Sequence, residues 1–329
     1  MITIKEIAER ANVSRTTVSR VINNSGYVSD EAKKRVLKVI EETGYIPSEH
    51  AKSLRTKKTK VIGVILPKIS TETSSRLVKG LDEVFAKEGY QILLTNTNLE
   101  LEKEIEYLKL LKSRHVDGII LSATIINEPL LEAIRQLNIP FVIVGQYMPG
   151  LPNVLFDDYQ SSKDLVYFMI KKGYKHIAFI GVDEKDRSVG YLRKNGYLDA
   201  MKENNLPIEK GWVQKGTFDV DSGYQCMKHI MDFSEKTPVA VFAVTDRLAI
   251  GAMQYIKETG LSIPDDIAVA GMGASELSRF ISPALTTIDF FIEEAGREAA
   301  RLLLEQVNGG ISHEVIRTIK HRLIERSSI

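Results

Sequence analysis

The stretch TIKEIAERANVSRTTVSRVINNSGYVSDEAKKRVLKVIEETGYIPS, residues 3–48, decides the reading of this chain. It opens T-I-K-E, where Thr3 caps the first turn and Glu6 reaches back to the cap, so that two otherwise orphaned N–H groups are satisfied reciprocally. A helix is predicted from there to Ala11, because Ile4, Ile7, Ala8 and Ala11 recur at the three- and four-residue spacing of one face. Asn12-Val13-Ser14 interrupts the pattern. Ser14 is a good N-cap for a second helix, Arg15 to Ile22, with Val18, Val21 and Ile22 facing inward. A third helix is predicted from Ser29 to Thr43, with Ala32, Val36, Val39 and Ile40 inward and Gly44 as its stop.

Two short helices joined by a three-residue turn and buttressed by a third form the helix-turn-helix layout, in which the second helix enters the major groove. The same three helices also describe a plain small bundle. The polar face of the second helix separates the two readings. Arg15, Thr16, Thr17, Ser19, Arg20 and Asn23 offer donors with no acid among them, which suits phosphate oxygens and base edges. Charge distribution agrees. The whole chain is balanced, 44 Lys+Arg against 43 Asp+Glu, yet residues 1–60 carry 13 against 7, net +6, leaving 31 against 36, net −5, for residues 61–329. A basic head on an acidic body points to an anionic partner for the head.

Over residues 3–48 the chain resembles the DNA-binding head of the LacI/GalR family of bacterial repressors. The resemblance implies a repressor rather than an enzyme, a homodimer on double-stranded, pseudo-palindromic operator DNA, and no cofactor. It implies that Arg15, Thr16 and Arg20 read bases, while Thr3, Thr17, Ser19, Asn23 and Ser29 hold phosphates. For the two arginines the chemistry agrees, since a guanidinium fork fits guanine O6 and N7 together. The next segment, SEHAKSLRTKK at 48–58, carries Lys52, Arg55, Lys57 and Lys58 and by composition is a basic linker. The resemblance makes it a hinge helix that orders on DNA and levers Leu54 into the minor groove, where a wedge costs roughly a few kcal/mol returned as contact area; a packing role for Leu54 is the alternative. The expected division is residues 1–47 for DNA, 48–60 for the hinge and 61–329 for effector binding and dimerisation.

From Val61 onward, apolar runs alternate with helical patterns: VIGVIL at 61–66, QILLTN at 91–96, GIILSA at 118–123, PFVIVG at 140–145, HIAFIG at 176–181, VAVFAV at 239–244 and IAVAGM at 267–272. Continuous apolar runs mark parallel strands covered on both faces, so the body is read as doubly wound α/β, and seven or more such strands suggest two lobes. The body resembles the periplasmic sugar-binding fold. That likeness implies a first lobe of about 61–156 plus 289–319, a second of 157–288 plus 320–329, and three crossings between them. HRLIERSSI resembles the family's last strand, and no leucine heptad follows it, so dimers rather than tetramers are expected.

Ligands of open α/β sheets sit outside the carboxyl ends of the strands. Lys68, Ile69, Ser70 and Thr71 follow the first strand there, DEKDRSVGYLRKNGY follows HIAFIG, GTFDVDSGY precedes a later helix pattern, and Thr245-Asp246 follows VAVFAV. A sugar needs forked donors, acceptors and an aromatic face, which Arg193, Asp246 and Phe218 supply. Matched by motif, Arg193 in R-x-x-G-Y falls where the family carries a clamping arginine and Phe218 where a stacking aromatic often lies. Asp246 at a helix start is also a plausible cap. Met272-Gly273-Ala274 lacks the acid that most relatives place after this strand. That gap, with FIGVDEKDRSVGYLRKNGYLDAM and GASELSRFISPALTTIDFFIEEAG, resembles the sucrose and trehalose repressor branch, some members of which sense phosphorylated sugars. Lys68 would then meet a phosphate as a point charge, or else be a surface lysine.

Composition excludes other classes. A hydrophobic fraction of 43% with 26% charged residues is that of a soluble globular chain. The lone Cys226 forms no internal disulfide, the charged start MITIKEIAER is no signal peptide, and no apolar run approaches the roughly 20 residues of a membrane span, so a cytoplasmic, nucleoid-associated protein is expected. A sugar receptor of the transport type is the main alternative, since the body alone would fit one, but it would require an export signal and no basic head. GMGASE at 271–276 imitates a dinucleotide fingerprint, but Glu276 replaces the third glycine and Pro283 shortens any following helix. No metal site is expected, because Cys226 and His229 have no second pair.

Overall fold

The computed structural model describes residues 2–45, 58–234, 237–310 and 313–329. They form two compact units that divide between Thr59 and Lys60. Leu54, Lys52, Arg55 and Lys57 of the expected hinge lie outside the described residues.

In the first unit, α1 (Ile4–Ala11), α2 (Arg15–Ile22) and α3 (Asp30–Thr43) start where the caps require. Both halves of the Thr3–Glu6 capping box are made. Ser14 accepts from the Thr17 N–H and Ser29 from the Ala32 N–H. Left-handed Asn12 ends α1, and Gly44 ends α3. Ile7, Ala8, Ala11, Val18, Val21, Val36 and Val39 close a core too small to enclose Ile4, Ile22 and Ile40, which are only half-buried.

The second unit holds two six-stranded sheets among the described residues. The first runs in the order β11 (Ile316–Ile319), β5 (Asn153–Phe156), β4 (Phe141–Val144), β3 (Gly118–Ser122), β1 (Val61–Leu66), β2 (Gln91–Asn96). The second runs β12 (Arg322–Ile324), β10 (Thr286–Asp289), β9 (Ala268–Met272), β8 (Ala240–Ala243), β6 (Ile177–Gly181), β7 (Val213–Lys215). All pairings are parallel except β10 with β12. The chain passes from one sheet to the other after β5, after β10 and after β11, so the body is two lobes with a cleft between strand ends.

All seven apolar runs became strands, but QILLTN is not covered on both faces. As edge strand β2 it leaves Leu93 and Leu94 more than a third exposed. Strands β5, β7, β10, β11 and β12 lack apolar runs and are three or four residues long, which is why periodicity missed them.

Helix α4 (Glu72–Phe85) packs on α12 (Ile292–Val307), and α9 (Val220–Phe233) on α10 (Asp246–Glu258). Both pairs touch through glycine. A Cβ on Gly80 would stand 2.0 Å from the Glu293 carbonyl oxygen, and one on Gly251 2.0 Å from that of Val220. Only glycine permits such backbone approach, and these pairings fix where the amino ends of α4 and α10 meet the cleft.

Candidate functional site

The outer face of α2 presents Arg15, Thr16 and Arg20, all exposed, with Thr17, Ser19 and Asn23 beside them. No acid lies on the helix. The Asn23 amide is folded back on the Ser19 carbonyl at 2.6 Å, while Thr17 shares a hydroxyl contact with Ser14 at 2.9 Å. Thr3 and Ser29 are the N-caps of α1 and α3, so both stand where helix N–H groups converge, a favourable place for a phosphate. Thr3 is the most committed of the set: its N–H and its hydroxyl both donate to Glu6, at 2.8 and 2.9 Å.

The body cleft encloses a cavity of about 220 Å³. At its base Arg193, first residue of α8 (Arg193–Glu203), is 7% exposed. Its Nε and Nη2 lie 2.7 and 2.6 Å from Asp158 Oδ1, Nη1 donates to the Val244 carbonyl, and the guanidinium stands 4.6 Å over the Phe290 ring. Burial pushes the Asp158 carboxyl above its ordinary range and the Arg193 charge pulls it back. A π-helical turn, Arg187–Leu192, leads into α8, an irregularity common at ligand sites. Asp186 caps it, accepting from Val189 N at 2.9 Å and from the Gln146 amide at 2.8 Å; burial raises its carboxyl.

Gln146 follows β4 and Asp186 follows β6, so this bond ties the lobes together. Ser188 adds a bond to the Gly145 carbonyl at 2.6 Å. On the other side Glu72 of α4 accepts the Glu276 N–H at the start of α11 (Glu276–Phe280), at 2.8 and 2.9 Å. Arg76 Nη1 donates to the carbonyls of Gly273 and Ala274 at 3.1 and 3.3 Å. The lobes are therefore drawn together.

Of the residues singled out from sequence, Lys68, Arg193, Phe218, Thr245 and Asp246 line the cavity; Ser70 does not and is exposed. The cause is local: the chain turns at Lys68 into α4, so that Thr71, the α4 N-cap and also among the residues expected at this strand end, faces the cavity while Ser70 does not. The cap of α10 is Thr245 rather than Asp246. Asp246 is buried and raised by desolvation, accepting from the Thr287 hydroxyl at 2.5 Å and Ser275 N at 2.6 Å. This clarifies the missing acid: a Cβ on left-handed Gly273 would stand 3.6 Å from Asp246 Oδ2, so an aspartate there would be driven toward a second carboxylate. Sequence reasoning overlooked Arg76, Gln146, Asp158 and Arg247, and reached Asp186 only as part of the stretch DEKDRSVGYLRKNGY. Arg247 had one usable signal, its place directly after the Thr-Asp pair at a strand end; the others became partners only through folding.

Two family models match the chain: bacterial regulatory proteins of the lacI family over residues 3–48, and the periplasmic binding protein-like domain over residues 166–329. The HTH-type transcriptional regulator RegA of Clostridium saccharobutylicum is 35% identical over 99% of this chain and 98% of its own. The HTH-type transcriptional repressor PurR of Histophilus somni is 33% identical, with 99% of each covered. Among solved structures, a transcriptional regulator CelR–cellobiose complex matches over the full length of both chains with a TM-score of 0.75 and 26% identity. Fold and exposed helix face together define a DNA-binding transcriptional regulator with a ligand-binding body. The chain belongs to the LacI family of bacterial regulatory proteins, and is a regulator of the repressor type rather than an enzyme.

Proposed function

We propose that this chain is a cytoplasmic, dimeric repressor of a sugar-utilisation operon, released from its operator by a sugar or sugar phosphate held between the lobes, with a sucrose- or trehalose-type disaccharide favoured. The observation that carries the reading is the cleft. It combines a buried, oriented guanidinium at Arg193, carboxylates at Asp158, Asp186 and Asp246 and aromatic faces at Phe156, Phe218 and Phe290, the donor, acceptor and stacking set that a polyol requires. Similarity to a regulator solved with cellobiose supports a sugar of this size. The cavity of about 220 Å³ is small beside the roughly 300–1,000 Å³ of drug-sized pockets, so a disaccharide enters only with the lobes parted.

In this reading Arg15, Thr16 and Arg20 contact bases and Thr17, Ser19, Asn23, Thr3 and Ser29 the backbone, with Leu54 wedging the minor groove. Thr3 would have to exchange a bond to Glu6 for one to phosphate. Two heads on one dimer match a pseudo-palindromic site. Ligand shifts the balance only by its differential affinity for the lobe arrangements, typically about 1–3 kcal/mol, enough to vacate a promoter. The test is retardation of the upstream promoter fragment by purified full-length protein at low ionic strength, with and without a sugar panel. Specific retardation relieved by one sugar supports the reading; a fragment that is never retarded removes it.

A further inference from the structure

The charged groups lining the cleft are not evenly engaged. Each carboxylate already accepts a bond: Glu72 from Glu276 N, Asp158 from Arg193, Asp186 from Gln146 and Val189, Asp246 from Thr287 and Ser275. Two of the cations are spoken for as well, Arg193 by Asp158 and Arg76 by backbone carbonyls and Asp289. The remaining two, Lys68 and Arg247, make no hydrogen bond or ion pair among the described residues. Arg247 Nε is shielded from water and has no acceptor among the described residues. A buried donor left without a partner is costly, and its persistence in a ligand cleft marks where an acceptor arrives.

The two cations come from opposite lobes. Lys68 lies just past the carboxyl end of β1 and Arg247 is the second residue of α10, just past β8. The N-terminal turn of α10 adds its own partial positive charge beside the Arg247 guanidinium. Lys68 acts through space on Asp219, but that carboxylate is already taken up by Thr217 at 2.6 Å and Ser222 N at 2.8 Å. The unspent capacity of the cleft is thus cationic, on both sides of the gap.

We propose that the effector is a phosphorylated sugar whose phosphate monoester is held between Lys68 of the first lobe and Arg247 of the second. The inference rests on the sugar-effector reading and narrows it. A phosphate carries about −1.5 to −2 charges and three acceptor oxygens, so a single group answers both cations and favours the closed lobes, whereas a neutral sugar hydroxyl can accept from Arg247 Nε but neutralises neither charge.

Inorganic phosphate is the direct probe. Thermal melting of the full-length protein is compared in phosphate and in chloride of equal ionic strength. Phosphate should raise the wild-type midpoint, and the rise should vanish in Arg247→Gln and in Lys68→Gln while Arg247→Lys keeps part of it; urea midpoints in chloride check that the variants fold. Calorimetric titration then compares glucose with glucose 6-phosphate, trehalose with trehalose 6-phosphate and sucrose with sucrose 6-phosphate. At least one phosphate ester should bind about tenfold to a hundredfold more tightly than its free sugar, with that gain lost in Arg247→Gln. A free sugar binding as tightly as its ester, or a phosphate effect indifferent to Arg247, overturns the proposal and leaves sugar control standing. An Arg247-dependent phosphate effect with no sugar bound supports the anion site and removes the sugar. Tighter binding of glucuronate than of glucose 6-phosphate moves the site to carboxylates and also overturns it.

Discussion

Replacing Arg193 by alanine tests the base of the cleft most sharply, because that side chain has both a structural and a signalling task. It removes two contacts of 2.6 and 2.7 Å to Asp158, a bond to the Val244 carbonyl and a guanidinium seated 4.6 Å over Phe290. Breaking one partner out of a buried ion pair costs about 3–5 kcal/mol, since the other charge is left without compensation. Loss of the cation–π contact adds about 1 kcal/mol. Arg193→Ala should therefore lower the stability of the body by about 4–6 kcal/mol at neutral pH, read as a shift in the urea midpoint. The pH dependence follows from Asp158. Burial already raises its carboxyl in the folded protein, and without Arg193 nothing strong pulls it back. A carboxyl with a folded pKa above its unfolded value destabilises progressively as pH rises from the unfolded toward the folded value. The deficit of the variant should thus be smallest in acid and grow toward neutrality. Arg193→Met with Asp158→Leu, which removes both charges, should recover much of the loss. In gel retardation, Arg193→Ala should remain on the operator at effector concentrations that release the wild type. A pH-independent deficit below about 1 kcal/mol, together with normal release, would refute the reasoning.

Other expectations concern separate parts of the molecule. Arg15→Ala or Arg20→Ala should cost about 1–3 kcal/mol at the cognate base pair and relax choice there, and an unchanged preference across a base-substitution series would count against base reading. Glu104 is 2% exposed, has an unpartnered Oε2 and is pushed up to about 7 by burial. Its cost is absent below its unfolded pKa and fully present above pH 7, so Glu104→Gln should gain up to roughly 3 kcal/mol at alkaline pH and nothing in acid; parallel stability profiles would sink this. Gly251→Ala should destabilise by about 1–3 kcal/mol or more through overpacking of α9 on α10, measured by urea unfolding; a neutral result would mean the helices separate freely. Thr3→Ala should cost about 1 kcal/mol from the lost cap, seen in the melting of the head.

The head was legible almost residue by residue, because its determinants are local. A capping box, two serine N-caps and apolar residues three and four apart specify three helices without reference to anything distant, and they leave Arg15, Thr16 and Arg20 on the free face. The body's principal strands were legible for a similar reason, each being a continuous apolar run. What local pattern could not show was which residues meet. The edge position of β2 depends on sheet order, and the short strands β5, β7 and β10 to β12 owe their conformation to neighbours rather than to their own residues. Asp158 and Arg193 lie 35 positions apart and pair only once α7 (Asp158–Lys171) and α8 pack side by side. Gln146 joins Asp186 only because two strands from different sheets end at one cleft. Sequence supplied the chemical groups and most of the helices and strands, since those follow from spacing along the chain. Tertiary structure decided which charges were already neutralised and which stayed unspent, because pairing depends on distance in space and on exclusion of water.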